Sequence, residues 1–170
     1  MQLLVIRHAI AEDRAEWAAT GEGDAARPLT SDGRRRMRRG ARGLRRAVPR
    51  LGTLATSPLT RARDTAEIVA EAYGGVDPVL LPELTPGGDP QLLVRRLRAL
   101  DGDGGPVAIV GHEPDLSGVV GWLLTGRVRS LLELKKGSAC LLELPDDAEP
   151  AGGATLLWAL TPGQLRRLRK

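Results

Sequence analysis

Apolar residues follow two rhythms along this chain. Short unbroken runs with β-branched residues, bounded by glycine, proline or charge, read as buried strands. Four such runs are Gln2–Ile6, Thr53–Ser57, Pro78–Leu81 and Val107–Val110. Between them lie longer stretches with helical spacing. Thr30 or Ser31 can cap a helix running to about Val48, before Pro49. Ser57-Pro58 supplies an N-cap and a first-turn proline for a helix that stops at Gly74-Gly75, after about Tyr73. Asp89-Pro90 opens a helix with apolar positions Leu92, Leu93, Leu97 and Leu100, ended by Gly104-Gly105-Pro106. Gly111-His112-Glu113-Pro114-Asp115 leads into a helix to about Thr125. Residues 11–28 are charged and glycine-containing and read as a loop with room for one helical turn. The last third differs. Leu131–Leu134, Ala139–Leu144 and Ala154–Leu160 read as antiparallel strands around turns at Lys136-Gly137 and Asp146–Gly153, and a short basic helix, Gly163–Lys170, closes the chain.

Strand–helix alternation over the first 125 residues predicts an α/β fold with a mostly parallel sheet and helices on both faces. No internal repeat and no long linker interrupts it, so residues 1–170 are expected to form a single domain. A chain of 170 residues buries roughly 70% of its unfolded surface in one core, without disulfides or a structural metal.

Composition narrows the chemistry. Cys140 is the only cysteine and cannot form an internal disulfide, and no Cys/His cluster has zinc spacing. The first residues lack a basic n-region, and no apolar run approaches the ~20 residues that span a bilayer, so a cytoplasmic protein is expected. The pI of about 10.0 raises nucleic acid or an acidic membrane as partners. Yet arginine outnumbers lysine 22 to 3, asparagine and phenylalanine are absent, and net charge is only +4. That pattern is the bias of a GC-rich genome, and neither nucleic acid nor membrane is expected to bind. The run from Arg34 to Arg46 holds eight arginines, but Met37, Ala41, Leu44 and Val48 recur at steps of four, three and four. One face can therefore pack on the sheet while arginine stems cover the rest, with a docking surface for an acidic protein as the rival reading.

With two histidines in the chain, histidine chemistry must use His8, His112 or both. Ligands of open α/β sheets bind beyond the carboxyl ends of the strands. Those ends carry Arg7-His8, Ser57 through Arg61, Pro82-Glu83 and Gly111-His112-Glu113. Two imidazoles and two guanidiniums on one edge suit phosphoryl transfer without a metal or other cofactor. The transferred group spreads charge over three oxygens, and arginine meets that charge with a planar, permanently cationic fork. A neutral imidazole can attack phosphorus, a second can donate to its oxygens, and a nearby carboxylic acid can protonate a poor leaving group.

These segments resemble known motifs. Leu4-Val5-Ile6-Arg7-His8-Ala9 resembles the Arg-His-Gly signature of the histidine phosphatase superfamily, with Ala9 in place of glycine. Ser57-Pro58-Leu59-Thr60-Arg61 through Ala66 resembles its second motif and Val110-Gly111-His112 its third. Arg27-Pro28-Leu29-Thr30 with Gly33, Leu81-Pro82-Glu83-Leu84-Thr85-Pro86 with Gly88-Asp89, and the short length are similar to SixA-type phosphohistidine phosphatases. The resemblance implies a three-layer α/β/α sandwich of the phosphoglycerate mutase-like kind, with a mostly parallel central sheet and antiparallel C-terminal strands; the strand order comes from it alone. It implies His8 as nucleophile and Arg7, Arg61 and His112 as the phosphate pocket.

Glu83 is the candidate proton donor by that resemblance, and Glu113 a second by position alone. Arg27 is expected to pin the long loop. The short connection between the third and fourth strands leaves little chain for a lid, so an open, shallow site is expected, suited to phosphohistidine on a partner protein. Two rivals remain: a phosphatase of small phosphate esters or nucleotides that uses Glu83, and a non-catalytic module that binds phosphate or acidic partners.

Overall fold

A computed structural model describes residues 1–102, 105–146 and 149–168. The expected stop at Gly104, the centre of the turn after Asp146 and the last two residues of the closing helix lie outside the described residues. Along the chain run β1 (Gln2–Arg7), α1 (Arg14–Ala18), a 3-10 turn (Asp24–Ala26), α2 (Ser31–Ala47), β2 (Thr53–Thr56) and α3 (Thr60–Ala72). They are followed by β3 (Val79–Leu80), a second 3-10 turn (Pro82–Leu84), α4 (Pro90–Leu100), β4 (Val107–Gly111) and α5 (Asp115–Thr125). β5 (Ala139–Glu143), β6 (Thr155–Leu160) and α6 (Pro162–Leu168) complete the chain.

The six strands form one sheet in the order β3-β2-β4-β1-β5-β6. β1 and β2 both pair in parallel with β4, and β3 pairs in parallel with β2. β5 runs antiparallel to β1 and to β6. Alternate side chains of each strand point to opposite faces. Leu4, Ile6, Leu54 and Val110 therefore face one cluster with α2, α3 and α6, while Leu3, Val5, Ala55 and Ile109 face another with α4 and α5. The result is the three-layer α/β/α sandwich, and burial on both sides explains why the central strands are uniformly apolar.

α2 resolves the question of the arginine-rich run. Thr30 Oγ1 caps it by accepting from the Gly33 amide at 2.9 Å. Met37, Ala41, Leu44 and Val48 are all buried, as the spacing predicts. A Cβ on Gly43 would stand 1.8 Å from the Leu165 carbonyl oxygen, so only glycine lets α2 and α6 approach this closely.

Three local expectations fail. Leu131–Leu134 is a series of bends, not a strand. Its carbonyls serve side chains instead of a ladder: Ser117 Oγ donates to Leu132 and Arg7 to Leu134. Both flanks of β5 are already taken by β1 and β6. Secondly, α3 starts at Thr60 with Leu59 as its N-cap, which offers no side-chain bond. Ser57 is not the cap, because its hydroxyl meets His112 and the Leu59 amide. Thirdly, α4 buries Leu93, Val94 and Leu97, while Leu92 is 43% exposed. The loop over residues 11–28 also differs slightly, with two short turns of helix rather than one.

Candidate active site

Register brings the strand ends together. Arg7 of β1 lies opposite Gly111 of β4, and Thr56 of β2 opposite Val110. The His8 amide then donates to the Gly111 carbonyl at 3.0 Å, and the Ser57 amide to Val110 at 3.0 Å. These bonds extend the ladder by one residue and set His8 beside His112. Their ring centroids are 5.1 Å apart with planes tilted by 55°.

Hydrogen bonds fix the His8 ring. Its Nδ1 lies 2.7 Å from the Ala9 carbonyl oxygen. A carbonyl only accepts, so Nδ1 carries the proton and Nε2 of the neutral ring keeps its lone pair. Burial pushes the His8 pKa down to about 3, against the Ala9 bond, with His112, Arg61 and Arg7 pressing the same way as burial. The Ala9 amide in turn donates to Thr65 Oγ1 at 3.0 Å, and that hydroxyl donates to the Arg61 carbonyl at 2.7 Å. One buried threonine thus couples the backbone after His8 to the first turn of α3.

His112 Nε2 lies 2.9 Å from Ser57 Oγ. Ser57 Oγ also accepts from the Leu59 amide at 3.3 Å. If the hydroxyl donates to His112, the imidazole proton sits on Nδ1, which is buried and has no partner among the described residues. Burial lowers the His112 pKa to about 4, with Arg61, Arg27 and Arg7 adding and Asp24 opposing.

Arg61 projects from the first turn of α3 and is 3% exposed. Its NH1 donates to the Asp24 carbonyl at 2.9 Å and its NH2 pairs with Asp24 Oδ2 at 3.1 Å. Arg7 donates through NH1 to Leu134 at 2.6 Å. In both arginines Nε is buried without a partner among the described residues. Buried donors are almost always satisfied. These three unpartnered donors belong to residues that act on His8, an arrangement that suits a tetrahedral oxyanion.

Asp24 is the residue sequence reasoning missed. Against a burial penalty, Arg27, Arg61 and Arg14 hold its carboxyl below the ordinary value. Arg27 Nε donates to Asp24 Oδ1 at 2.8 Å and its NH1 to the Glu12 carbonyl at 2.7 Å, so Arg27 does pin the loop. No local pattern marks Asp24, since its partner Arg61 is 37 residues away. Lys136 was missed too. Burial, with Arg7, Arg27 and Arg61, lowers its pKa.

The two candidate proton donors bond to groups outside this cluster, although Glu113 senses the charge of Arg7. Glu83 Oε1 pairs with Arg96 at 3.3 Å and its Oε2 is buried without a partner among the described residues. Glu83 follows β3, the outermost strand, three strand spacings or about 14 Å from β1. Glu113 Oε1 lies 2.7 Å from Ser117 Oγ, and burial raises the Glu113 pKa. Neither is among the main charges on His8 or His112, whereas Asp24 is on His112. The site is also less open than expected. His8, His112 and Arg61 are each under one tenth exposed, and the loop bearing Asp24 lies against Arg61. Among the described residues no three His, Cys, Asp or Glu side chains are grouped to hold a metal, and no helix is long and apolar enough to cross a membrane.

Comparison with known proteins agrees with this geometry. Residues 3–85 match the family described as the histidine phosphatase superfamily (branch 1). An uncharacterized protein of Picosynechococcus is 36% identical over 137 residues, 80% of this chain and 81% of that protein. The phosphohistidine phosphatase SixA of Escherichia coli is 29% identical over 168 residues, 98% of this chain and 97% of its own. A solved structure of the protein histidine phosphatase SixA with tungstate superposes with a TM-score of 0.79 at 28% identity, covering 97% and 99% of the two chains.

Proposed function

The chain belongs to the histidine phosphatase superfamily, and from that premise we propose that it removes the phosphoryl group from phosphohistidine on a protein, through a phosphohistidine intermediate on His8. The observation that carries the reading is the oriented imidazole: a buried, neutral His8 whose Nδ1–H is held by Ala9, beside Arg7, Arg61 and His112, each with an unpartnered buried donor. The SixA relatives supply the substrate class, and the tungstate bound to one of them is a tetrahedral oxyanion, like phosphate.

In the first step the Nε2 lone pair attacks phosphorus as the bond to the leaving nitrogen breaks. Arg7 and Arg61 take up the charge on the equatorial oxygens, and neutral His112 donates through Nδ1–H. A phosphoimidazole protonated on its far nitrogen leaves as neutral imidazole, so the enzyme need not supply an acid. Water then attacks the phosphorus, the His8 N–P bond breaks, and phosphate departs with His8 neutral again.

Trapping tests this directly. Brief reaction with a phosphohistidine peptide or phosphoramidate should leave acid-labile, alkali-stable phosphate on His8, and His8→Ala should abolish both label and turnover. Stable label on another residue would overturn the assignment. Binding of substrate without any turnover by the intact protein would instead favour a non-catalytic phosphate-binding module.

The buried, unpartnered Oε2 of Glu83 favours a second reading, hydrolysis of small phosphate esters or nucleotides with Glu83 as acid. An alkoxide leaves poorly, so Glu83→Gln should then cut ester turnover by orders of magnitude while phosphohistidine turnover persists. If Glu83→Gln changes neither, Glu83 is not the donor.

A further inference from the structure

A cavity of about 380 Å³ opens beside the candidate active site, between α2, α6 and the turn after Leu134. Arg36, Lys135, Lys136 and Arg166 line it, and no carboxylate does. Arg36 has Asp32 as a partner at 2.5 Å. Among the described residues, Lys135, Lys136 and Arg166 pair with no carboxylate. Such a concentration of like charge is costly unless an anion is to be bound.

One wall of the cavity adjoins the site along the chain. Ala9 and Ile10, which form one wall, directly follow His8. The Gly137 amide donates to the carbonyls of both Arg7 and His8 at 3.1 Å, which fixes the Lys135–Gly137 turn against the strand end. Lys136 therefore lines the cavity while its ammonium senses Arg7, Arg27 and Arg61. A group held in the cavity would lie next to the residue whose phosphate reaches His8.

The lining also selects among anions. Met37 and Pro162 add apolar surface, which suits carboxylates carried on side-chain stems better than a bare phosphate ion. No aromatic residue lines the cavity, so it lacks the stacking platform that single-stranded nucleic acid uses. We propose that this cavity docks an acidic segment of the phosphorylated partner protein, adjacent in that protein to the phosphohistidine. The proposal rests on the phosphohistidine reading and adds a specificity site to it, in which α6 and the turn after Leu134 present carboxylate-binding cations.

Two synthetic peptides test it. Both carry one phosphohistidine, flanked by four glutamates in one and four glutamines in the other. The wild-type protein should prefer the glutamate peptide by about tenfold in kcat/KM, mostly through KM, as several rim charge pairs contribute together. The double variant Lys135→Glu/Arg166→Glu should lose or invert that preference, while kcat for phosphoramidate stays at the wild-type value and shows that the site is intact. Should that variant not fold, Lys135→Glu alone and a salt titration of the wild type read the same quantity, and the preference must shrink as salt rises. Equal kcat/KM for the two peptides, or a preference unchanged by charge reversal, overturns the docking site and leaves the phosphatase reading standing. Turnover of neither peptide, with phosphoramidate still hydrolysed, brings down both. Tighter binding of an oligothymidylate than of hexaglutamate, lost in the double variant, would assign the cavity to nucleic acid and overturn the proposal.

Discussion

Two buried imidazoles make the stability of this protein depend on pH in a calculable way. In the unfolded chain each titrates near its ordinary 6.5, whereas folding depresses His8 to about 3 and His112 to about 4. As pH falls from 7 to 5 the unfolded chain takes up about 0.7 proton at each histidine and the folded chain takes up almost none. Linkage then favours the unfolded state, so stability present above pH 6.5 is lost as pH drops. Each histidine contributes about 2 kcal/mol over those two units, and the pair about 4 kcal/mol. Glu113 opposes this, because burial raises its pKa and the folded state binds its proton more readily. Against a total stability of ~5–15 kcal/mol the loss is large. Urea titrations followed by circular dichroism should show a midpoint lower by roughly 2 M at pH 5 than at pH 7. The variant His8→Asn/His112→Asn should show less than half that shift. Equal shifts in wild type and double variant would refute the claim that the folded protein buries both imidazoles neutral.

Three further outcomes can be checked. Asp24→Asn removes the carboxylate that sits on Arg61 but leaves its backbone tether to Arg61 NH1, so inorganic phosphate should inhibit about threefold to tenfold more tightly; an unchanged inhibition constant would show that Asp24 does not screen the pocket. Gly43→Ala places a Cβ 1.8 Å from the Leu165 oxygen and should cost about 2 kcal/mol in urea unfolding, while Gly40→Ala, with open space around its Cβ, should be neutral or stabilising. Turnover of phosphoramidate should persist after dialysis against excess EDTA, since the proposed charge stabilisation comes from Arg7, Arg61 and His112; loss that added metal restores would count against that mechanism.

The legible part of the fold was the part where burial is two-sided. β1 and β4 are apolar at every interior position because helices cover both faces, and such runs have few alternatives once charge ends them at Arg7 and His112. Leu131–Leu134 has the same local composition, but its carbonyls are claimed by Arg7 and Ser117 from elsewhere in the chain. Ser57 likewise reads as a cap until His112, 55 residues away, takes its hydroxyl. The site divides in the same manner. Arg7, His8 and His112 sit where their own strands end, and Arg61 in the turn after another, so position along the chain implies position in space. Asp24 reaches the site only through Arg27 and Arg61, a tether that no local pattern encodes.

The state of the carboxylates bears on which leaving group the site suits. Asp24 acts on His112, but three arginines keep it ionised, so it holds no proton to give at neutral pH. Glu113 has a raised pKa and could hold a proton, yet it is hydrogen-bonded to Ser117. Glu83 is engaged with Arg96. An alkoxide would need one of these carboxyls, in its protonated form, as its acid. A protonated phosphoimidazole carries its own proton, and the same cations stabilise the phosphoryl group without supplying one. The charge distribution around His8 therefore supports cleavage of a P–N bond over a P–O bond. In the proposed mechanism Arg7, Arg61 and His112 serve the transferring group, which both bonds share; the leaving group's need for an acid is what separates the two substrates.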